Sequence, residues 1–231
     1  MLAARQIPLA IGPAPLMALD SFVPGPCAAN AAALVHVKSL LARPAAPIYL
    51  WGSSGSGKTH LLLGLTVAWQ AQGGQAAWFD PSTPLPWTVD DKASLVVVDD
   101  AQALDGSRQQ AAFALFIDAA TQGAQWAAAG NVPPVDLPLR DDLRTRLAWG
   151  HVFALEPLPE ADARAVLRRE ADRRGIWLGD EVMGYLLTRF SRDLKQLMAL
   201  LDRLDEFSLA EKRAITVPLL KRMFEEEGQA L

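Results

Sequence analysis

The sequence predicts an α/β fold: a parallel sheet of five strands flanked by helices, followed by a small all-helical domain. Three observations predict it. From Ile48 onward, short apolar runs alternate with helical stretches, the pattern of strands buried on both faces and joined by crossover helices. The first apolar run leads through a glycine-rich loop straight into a helix-forming stretch, a strand-loop-helix unit. Past Pro157 the short apolar runs cease and helical periods take over.

Taken in order, residues 1–30 contain five prolines and no sustained period, and read as extended. The predicted strands are Ile48–Trp51, Ala76–Asp80, Leu95–Val98, Trp126–Ala129 and Val152–Leu155. Thr59–Gln72 reads as a helix ended by Gly73 and Gly74, a C-terminal stop. Ser107–Thr121 reads as a second, with Phe113, Phe116 and Ile117 at core-facing spacing. The later helices are Glu160–Arg174, Asp180–Phe190, Asp193–Phe207 and Val217–Glu226. The expected organisation is an arm over 1–18, an α/β domain over 19–156 and a helical domain over 157–231.

Composition excludes several classes of function. The 231 residues are 51% hydrophobic and 21% charged, an ordinary globular balance with room for a full core. No run reaches the roughly 18 apolar residues of a membrane helix, and Met1–Ile11 lacks the continuous apolar stretch of a signal peptide, so the expected location is the cytoplasm. The net charge of −4 argues against a broad nucleic-acid footprint. Cys27 stands alone, which excludes an internal disulfide and a cysteine-rich metal site. His36, His60 and His151 lack metal-ligand spacing and read as structural. The tryptophans at 51, 69, 78, 87, 126, 149 and 177 have no basic interleaving and read as core residues.

Chemistry concentrates in two motifs. Gly52-Ser53-Ser54-Gly55-Ser56-Gly57-Lys58-Thr59 has the spacing of a phosphate-binding loop, directly after a strand and directly before a helix. Glycines let successive backbone N–H groups curl around an anion, and the helix that follows presents the positive end of its dipole. Lys58 supplies charge to the β- and γ-phosphates, and the Thr59 hydroxyl is a ligand for Mg²⁺. A second motif, Leu95-Val96-Val97-Val98-Asp99-Asp100, ends an apolar strand in two carboxylates. Asp99 is the candidate holder of the Mg²⁺ water shell, and Asp100 the candidate that polarises an attacking water.

With both motifs on a five-strand pattern and a helical domain behind, the chain resembles the AAA+ core of the DnaA replication initiators from about Leu19 to Leu231. Asp20-Ser21-Phe22-Val23-Pro24-Gly25, with Asn30 following, is similar to the family's entry segment along the adenine. Lys58-Thr59-His60-Leu61-Leu62 is similar to its phosphate loop, which adds His60 to the cofactor contacts the resemblance implies. Asp141-Asp142-Leu143-Arg144-Thr145-Arg146-Leu147-Ala148-Trp149-Gly150 resembles the segment bearing the family's arginine finger and places that finger at Arg146. Arg192 in Ser191-Arg192-Asp193-Leu194 resembles the sensor arginine of the helical domain, and Asn131 is the candidate polar sensor after the fourth strand, although Ala129 and Gly130 lack the hydroxyls often found there.

DnaA continues into a helix-turn-helix DNA reader, whereas about two helices follow Arg192 here, so the resemblance narrows to the Hda family of DnaA regulators. Gln6-Ile7-Pro8-Leu9-Ala10-Ile11 is similar to that family's sliding-clamp peptide. Leu9 and Ile11 suit an apolar pocket and the Gln6 amide suits its edge. The resemblance implies ADP or ATP with Mg²⁺ as cofactors and both DnaA and the clamp as partners. DNA contact through the clamp alone, self-association and no membrane partner complete the expectation. The implied function is negative regulation of replication initiation, with Arg146 stimulating hydrolysis of DnaA-bound ATP. A stand-alone ATPase such as a helicase loader and a non-catalytic adaptor are the alternatives.

Overall fold

In this computed structural model, five parallel strands make one sheet: β1 (Ile48–Trp51), β2 (Gln75–Phe79), β3 (Ala93–Val98), β4 (Gln125–Gly130) and β5 (His151–Ala154), in the order β2-β3-β4-β1-β5. The structure describes residues 18–42, 46–189, 194–211 and 213–226. Two compact units emerge, one spanning Leu16–Pro157 and the other containing Leu158–Leu231.

Period-two alternation decides which side each strand residue faces. Tyr49, Val96, Val98 and Ala128 join one core, under α3 (Gly106–Gln122) and α4 (Asp141–Leu147). Ile48, Leu50, Leu95, Val97, Ala127 and Ala129 join the other, under α1 (Ala28–Leu40) and α2 (Lys58–Ala71). Both faces are covered, which is why these strands read as unbroken apolar runs.

The register sets up the site. Leu50 pairs with Ala129 on one side and Phe153 on the other, while Val98 pairs with Ala128 and Phe79. The ends of β1 and β3 therefore lie on either side of the end of β4, at the carboxyl edge where open α/β sheets bind ligands.

Three sequence expectations need correction. Residues 28–30 are not extended, because α1 begins at Ala28. Five alanines in that helix favour helical backbone, yet alanine is too weakly apolar to print a period. Ile117 does not face the core: the buried stripe of α3 is Ala112, Leu115, Phe116 and Ala119, at the i, i+3, i+4, i+7 spacing of a single face. Trp149 and Trp177 are exposed, unlike the buried Trp87 and Trp126.

The second unit consists of α5 (Glu160–Arg173), α6 (Asp180–Arg189), α7 (Leu194–Glu211) and α8 (Val217–Glu226). Leu167, Met183, Leu186, Leu197, Leu201 and Leu220 form the centre of its core. Among the described residues of this unit one carboxylate is buried: Glu170, 3% exposed. Arg173 grips Glu170 with two bonds, of 3.0 and 2.7 Å, and Arg174 adds a third of 2.5 Å while also pairing with Asp202 of α7. Burial alone would raise the Glu170 carboxyl, but the two guanidinium groups outweigh it and hold the group below its ordinary value.

Candidate functional site

The loop between β1 and α2 is built around two close approaches. Gly57 caps the N-terminus of α2 in a left-handed conformation, φ 95°, which an L side chain rarely adopts. A Cβ on it would also lie 2.6 Å from Cε2 of Phe22. At Gly52 a Cβ would come within 2.2 Å of the Leu155 carbonyl oxygen. These two glycines let the loop curl between β5 and the entry segment around Phe22.

Lys58, the first residue of α2, is only 8% exposed. Its ammonium donates to the Gly52 and Ser53 carbonyls at 2.8 and 2.9 Å, so it lies folded back across the loop. Ser56 is 5% exposed, and its hydroxyl oxygen is buried without a hydrogen-bond partner. An unsatisfied buried hydroxyl is costly unless a ligand or water meets it.

Across the end of β4, the Thr59 hydroxyl donates to Oδ2 of Asp99 at 2.7 Å. The other oxygen of that carboxylate accepts the Asp100 amide at 2.9 Å. Burial pushes the Asp99 carboxyl up, and the Thr59 bond, the Asp100 amide and the Lys58 charge offset this only in part. A divalent cation beside a buried carboxylate favours its ionised form. The residues fit a magnesium-bound polyphosphate: an orphaned serine hydroxyl in the loop, two glycines whose replacement would collide with Leu155 and Phe22, and a hydroxyl-carboxylate pair 2.7 Å apart at one end.

Asp100 is the one non-glycine residue with positive φ among those described, at φ 50° and ψ 43°. Such a conformation persists only where surroundings enforce it. Gln102 supplies part of that: its amide donates to Asp100 Oδ1 at 3.1 Å and accepts the Asn131 backbone N–H at 3.0 Å. The Asn131 side chain itself is exposed. Gln102 thus ties the second carboxylate to the residue after β4. Only its position, two residues beyond the Asp pair, could have signalled this.

His60 takes up the entry segment. Its Nε2 lies 2.9 Å from the Ser21 hydroxyl and 3.3 Å from the Ala18 carbonyl oxygen, and its ring meets Phe22 edge-on. Asn30, 2% exposed, fixes the same segment from behind. Its amide donates to the Pro24 and Glu156 carbonyls and its oxygen accepts the Glu156 amide.

Arg146 sits elsewhere. It occupies the last turn of α4, just before β5 starts, and the His151 amide donates to the Pro47 carbonyl immediately ahead of β1. The phosphate loop instead follows the far end of β1, so the start of β5 after Arg146 and the loop lie at opposite ends of that strand. Arg140 pairs with Asp142 and Arg144 with Asp141. Among the described residues Arg146 has no carboxylate partner; its guanidinium lies over the rings of Phe116 and Trp149, 5.8 and 5.6 Å from their centroids.

Gln6, Leu9, Ile11 and Arg192 lie outside the described residues. Among those described, no helix is long and apolar enough to cross a membrane.

Comparison with known proteins agrees with this architecture. Residues 160–224 match the family model described as Hda, lid domain. Domain III of the Thermotoga maritima replication initiation protein DnaA is similar at a TM-score of 0.74 and 19% identity, over 91% of this chain and 96% of that one. AMPPCP-bound DnaA from Aquifex aeolicus is similar at a TM-score of 0.67 and 22% identity, over 93% of this chain and 70% of that one. The Thermotoga maritima RuvB Holliday junction branch migration motor follows at 0.65 and 14% identity, over 91% and 72% of the two chains. These likenesses show the fold.

Proposed function

We propose that this chain, which matches the Hda lid model over residues 160–224 and shares the fold of DnaA domain III, is a DnaA-related AAA+ protein and a negative regulator of replication initiation that stimulates hydrolysis of DnaA-bound ATP. The observation that carries this reading is the position of Arg146. It lies just ahead of β5, toward the end of β1 opposite its own phosphate loop, and without a carboxylate partner among the described residues. An arginine so placed serves a nucleotide held by a neighbouring molecule, where it neutralises charge developing on the γ-phosphate, an effect of about 10³ to 10⁵ in rate.

The chain's own site then has a conformational role. The backbone amides of Gly52–Thr59 would wrap the phosphates of ADP or ATP, Lys58, which donates to the Gly52 and Ser53 carbonyls, would supply charge to them, and Thr59 with Asp99 would hold Mg²⁺. A divalent cation held there would favour the ionised form of the Asp99 carboxyl, which burial otherwise pushes up. Arg192 in the lid reads the nucleotide state. Gln6, Leu9 and Ile11 dock the chain on the sliding clamp, so contact with DNA is made through the clamp. The AMPPCP bound by the Aquifex DnaA supports the nucleotide assignment for this fold.

The test is hydrolysis of DnaA-bound ATP, with and without DNA-loaded clamp. Wild type accelerates it in the presence of clamp, and Arg146→Ala does not; equal acceleration by the two proteins contradicts the proposal. A second reading, a stand-alone ATPase such as a helicase loader, is favoured by the complete set of Lys58, Thr59, Asp99 and Asp100, the last held by Gln102. Rapid steady-state ATP turnover by the chain alone, without DnaA or clamp, would favour that reading.

A further inference from the structure

We propose that Phe116 and Trp149 form an aromatic seat that presets the Arg146 guanidinium for delivery to a partner's nucleotide, with Trp149 acting as a positioning residue. The inference rests on the reading of Arg146 as a finger. Its starting point is a contrast within one short helix and its approach. Arg140 and Arg144 are each held by a carboxylate, Asp142 at 2.7 Å and Asp141 at 2.5 Å. Arg146 is held by two rings instead, with the ring centroids 6.3 Å apart and their planes inclined at 50°.

The two kinds of partner differ in what they leave available. A carboxylate takes the guanidinium's N–H donors and its charge, and both would have to be surrendered before a phosphate could be engaged. A ring face attracts the cation through its quadrupole and leaves the five N–H donors open. Seating also confines a side chain that otherwise carries a large rotamer entropy, part of which would be lost on engagement. An aromatic seat therefore orders the arginine without disarming it.

The position of Trp149 fits that role better than a packing role. It is 62% exposed, whereas Leu143 and Leu147 of the preceding helix α4 are buried. Trp149 also walls a cavity of about 260 Å³ together with Pro47, Phe116 and Trp126, so truncating it enlarges an open depression and leaves the core intact. Phe116 anchors the seat from beneath: it is buried in α3 and packs edge-on against Trp126 at 5.0 Å. Its truncation would disturb the core, so Trp149 is the residue to vary.

The experiment measures hydrolysis of DnaA-bound ATP with DNA-loaded clamp over a range of full-chain concentrations, for wild type, Trp149→Ala, Trp149→Phe, Trp149→Leu and Arg146→Ala. Nucleotide affinity and far-UV circular dichroism report the integrity of each variant. Trp149→Ala should lower the maximal rate about three- to ten-fold with an unchanged half-saturating concentration, which is the scale of one lost cation–π contact together with lost confinement. Trp149→Phe should recover most of the rate, and Trp149→Leu should not. A wild-type maximal rate for Trp149→Ala, full recovery by Trp149→Leu, or a change confined to the half-saturating concentration would each overturn the seat while leaving the finger in place. Undiminished stimulation by Arg146→Ala would instead remove the reading on which the seat depends.

Discussion

Replacing Gly57 with alanine probes the phosphate loop at its tightest point. Two costs can be worked from the structure. The backbone at φ 95° lies where a Cβ-bearing residue is strained by about 1–3 kcal/mol. The new methyl would also sit 2.6 Å from Cε2 of Phe22, a contact that requires the ring to shift within a packed environment, costing about 1–2 kcal/mol. Gly57→Ala should therefore destabilise the fold by about 2–5 kcal/mol. If the loop yields instead of the ring, the distortion appears in nucleotide affinity, where about 2 kcal/mol corresponds to roughly a thirty-fold weaker Kd. Urea denaturation and calorimetric titration with ADP together capture both outcomes. The double variant with Phe22→Ala separates them: the steric share should vanish, giving a coupling of about 1 kcal/mol or more, while the backbone share remains. A Gly57→Ala protein within about 0.5 kcal/mol of wild type, with unchanged affinity, would refute this account of the loop.

Two further predictions concern parts of the chain remote from the loop. Glu170→Ala should destabilise the helical unit by about 3 kcal/mol, because it leaves Arg173 and Arg174 without their shared buried partner; chemical denaturation measures the loss. Since the Glu170 carboxyl is held below its ordinary value of 4.5, its stabilising effect is complete above that value and is lost as the pH falls through the lower folded value. Wild type should therefore lose stability on acidification by more than Glu170→Ala does. Replacing Gln6 and Leu9 together with alanine should abolish binding to the sliding clamp while circular dichroism and nucleotide affinity stay unchanged; retained clamp affinity would discard the peptide assignment.

What the sequence made legible follows from how far each signal travels along the chain. The strands were readable because both sheet faces are covered, so Ile48–Trp51 and Leu95–Val98 appear as apolar runs whose observed ends differ by two residues at most. The loop and the Asp pair were readable because their chemistry demands fixed residue types at fixed spacing. Helix α1 was not, since its alanines carry helix propensity without apolar contrast. The seven residues of α4 are too few to display a period, and their charges pair locally. The partners that complete the candidate site were hidden for another reason. Gln102 reaches Asn131, His60 reaches Ser21, and Arg146 reaches Phe116 across stretches of about thirty residues or more; only the folded chain brings such pairs together. Trp149 illustrates the limit of composition: exposure, not residue type, separates it from buried Trp126.

The central claim is that the turn from Gly52 to Thr59 is shaped to hold the phosphates of an adenine nucleotide with Mg²⁺, and calorimetric titration of the purified chain tests it most directly. Wild type should bind ADP or ATP with one site per chain, more tightly with Mg²⁺ than with chelator present, and Lys58→Ala should show no measurable binding. Equal affinity in wild type and Lys58→Ala, with no response to Mg²⁺, would contradict the claim.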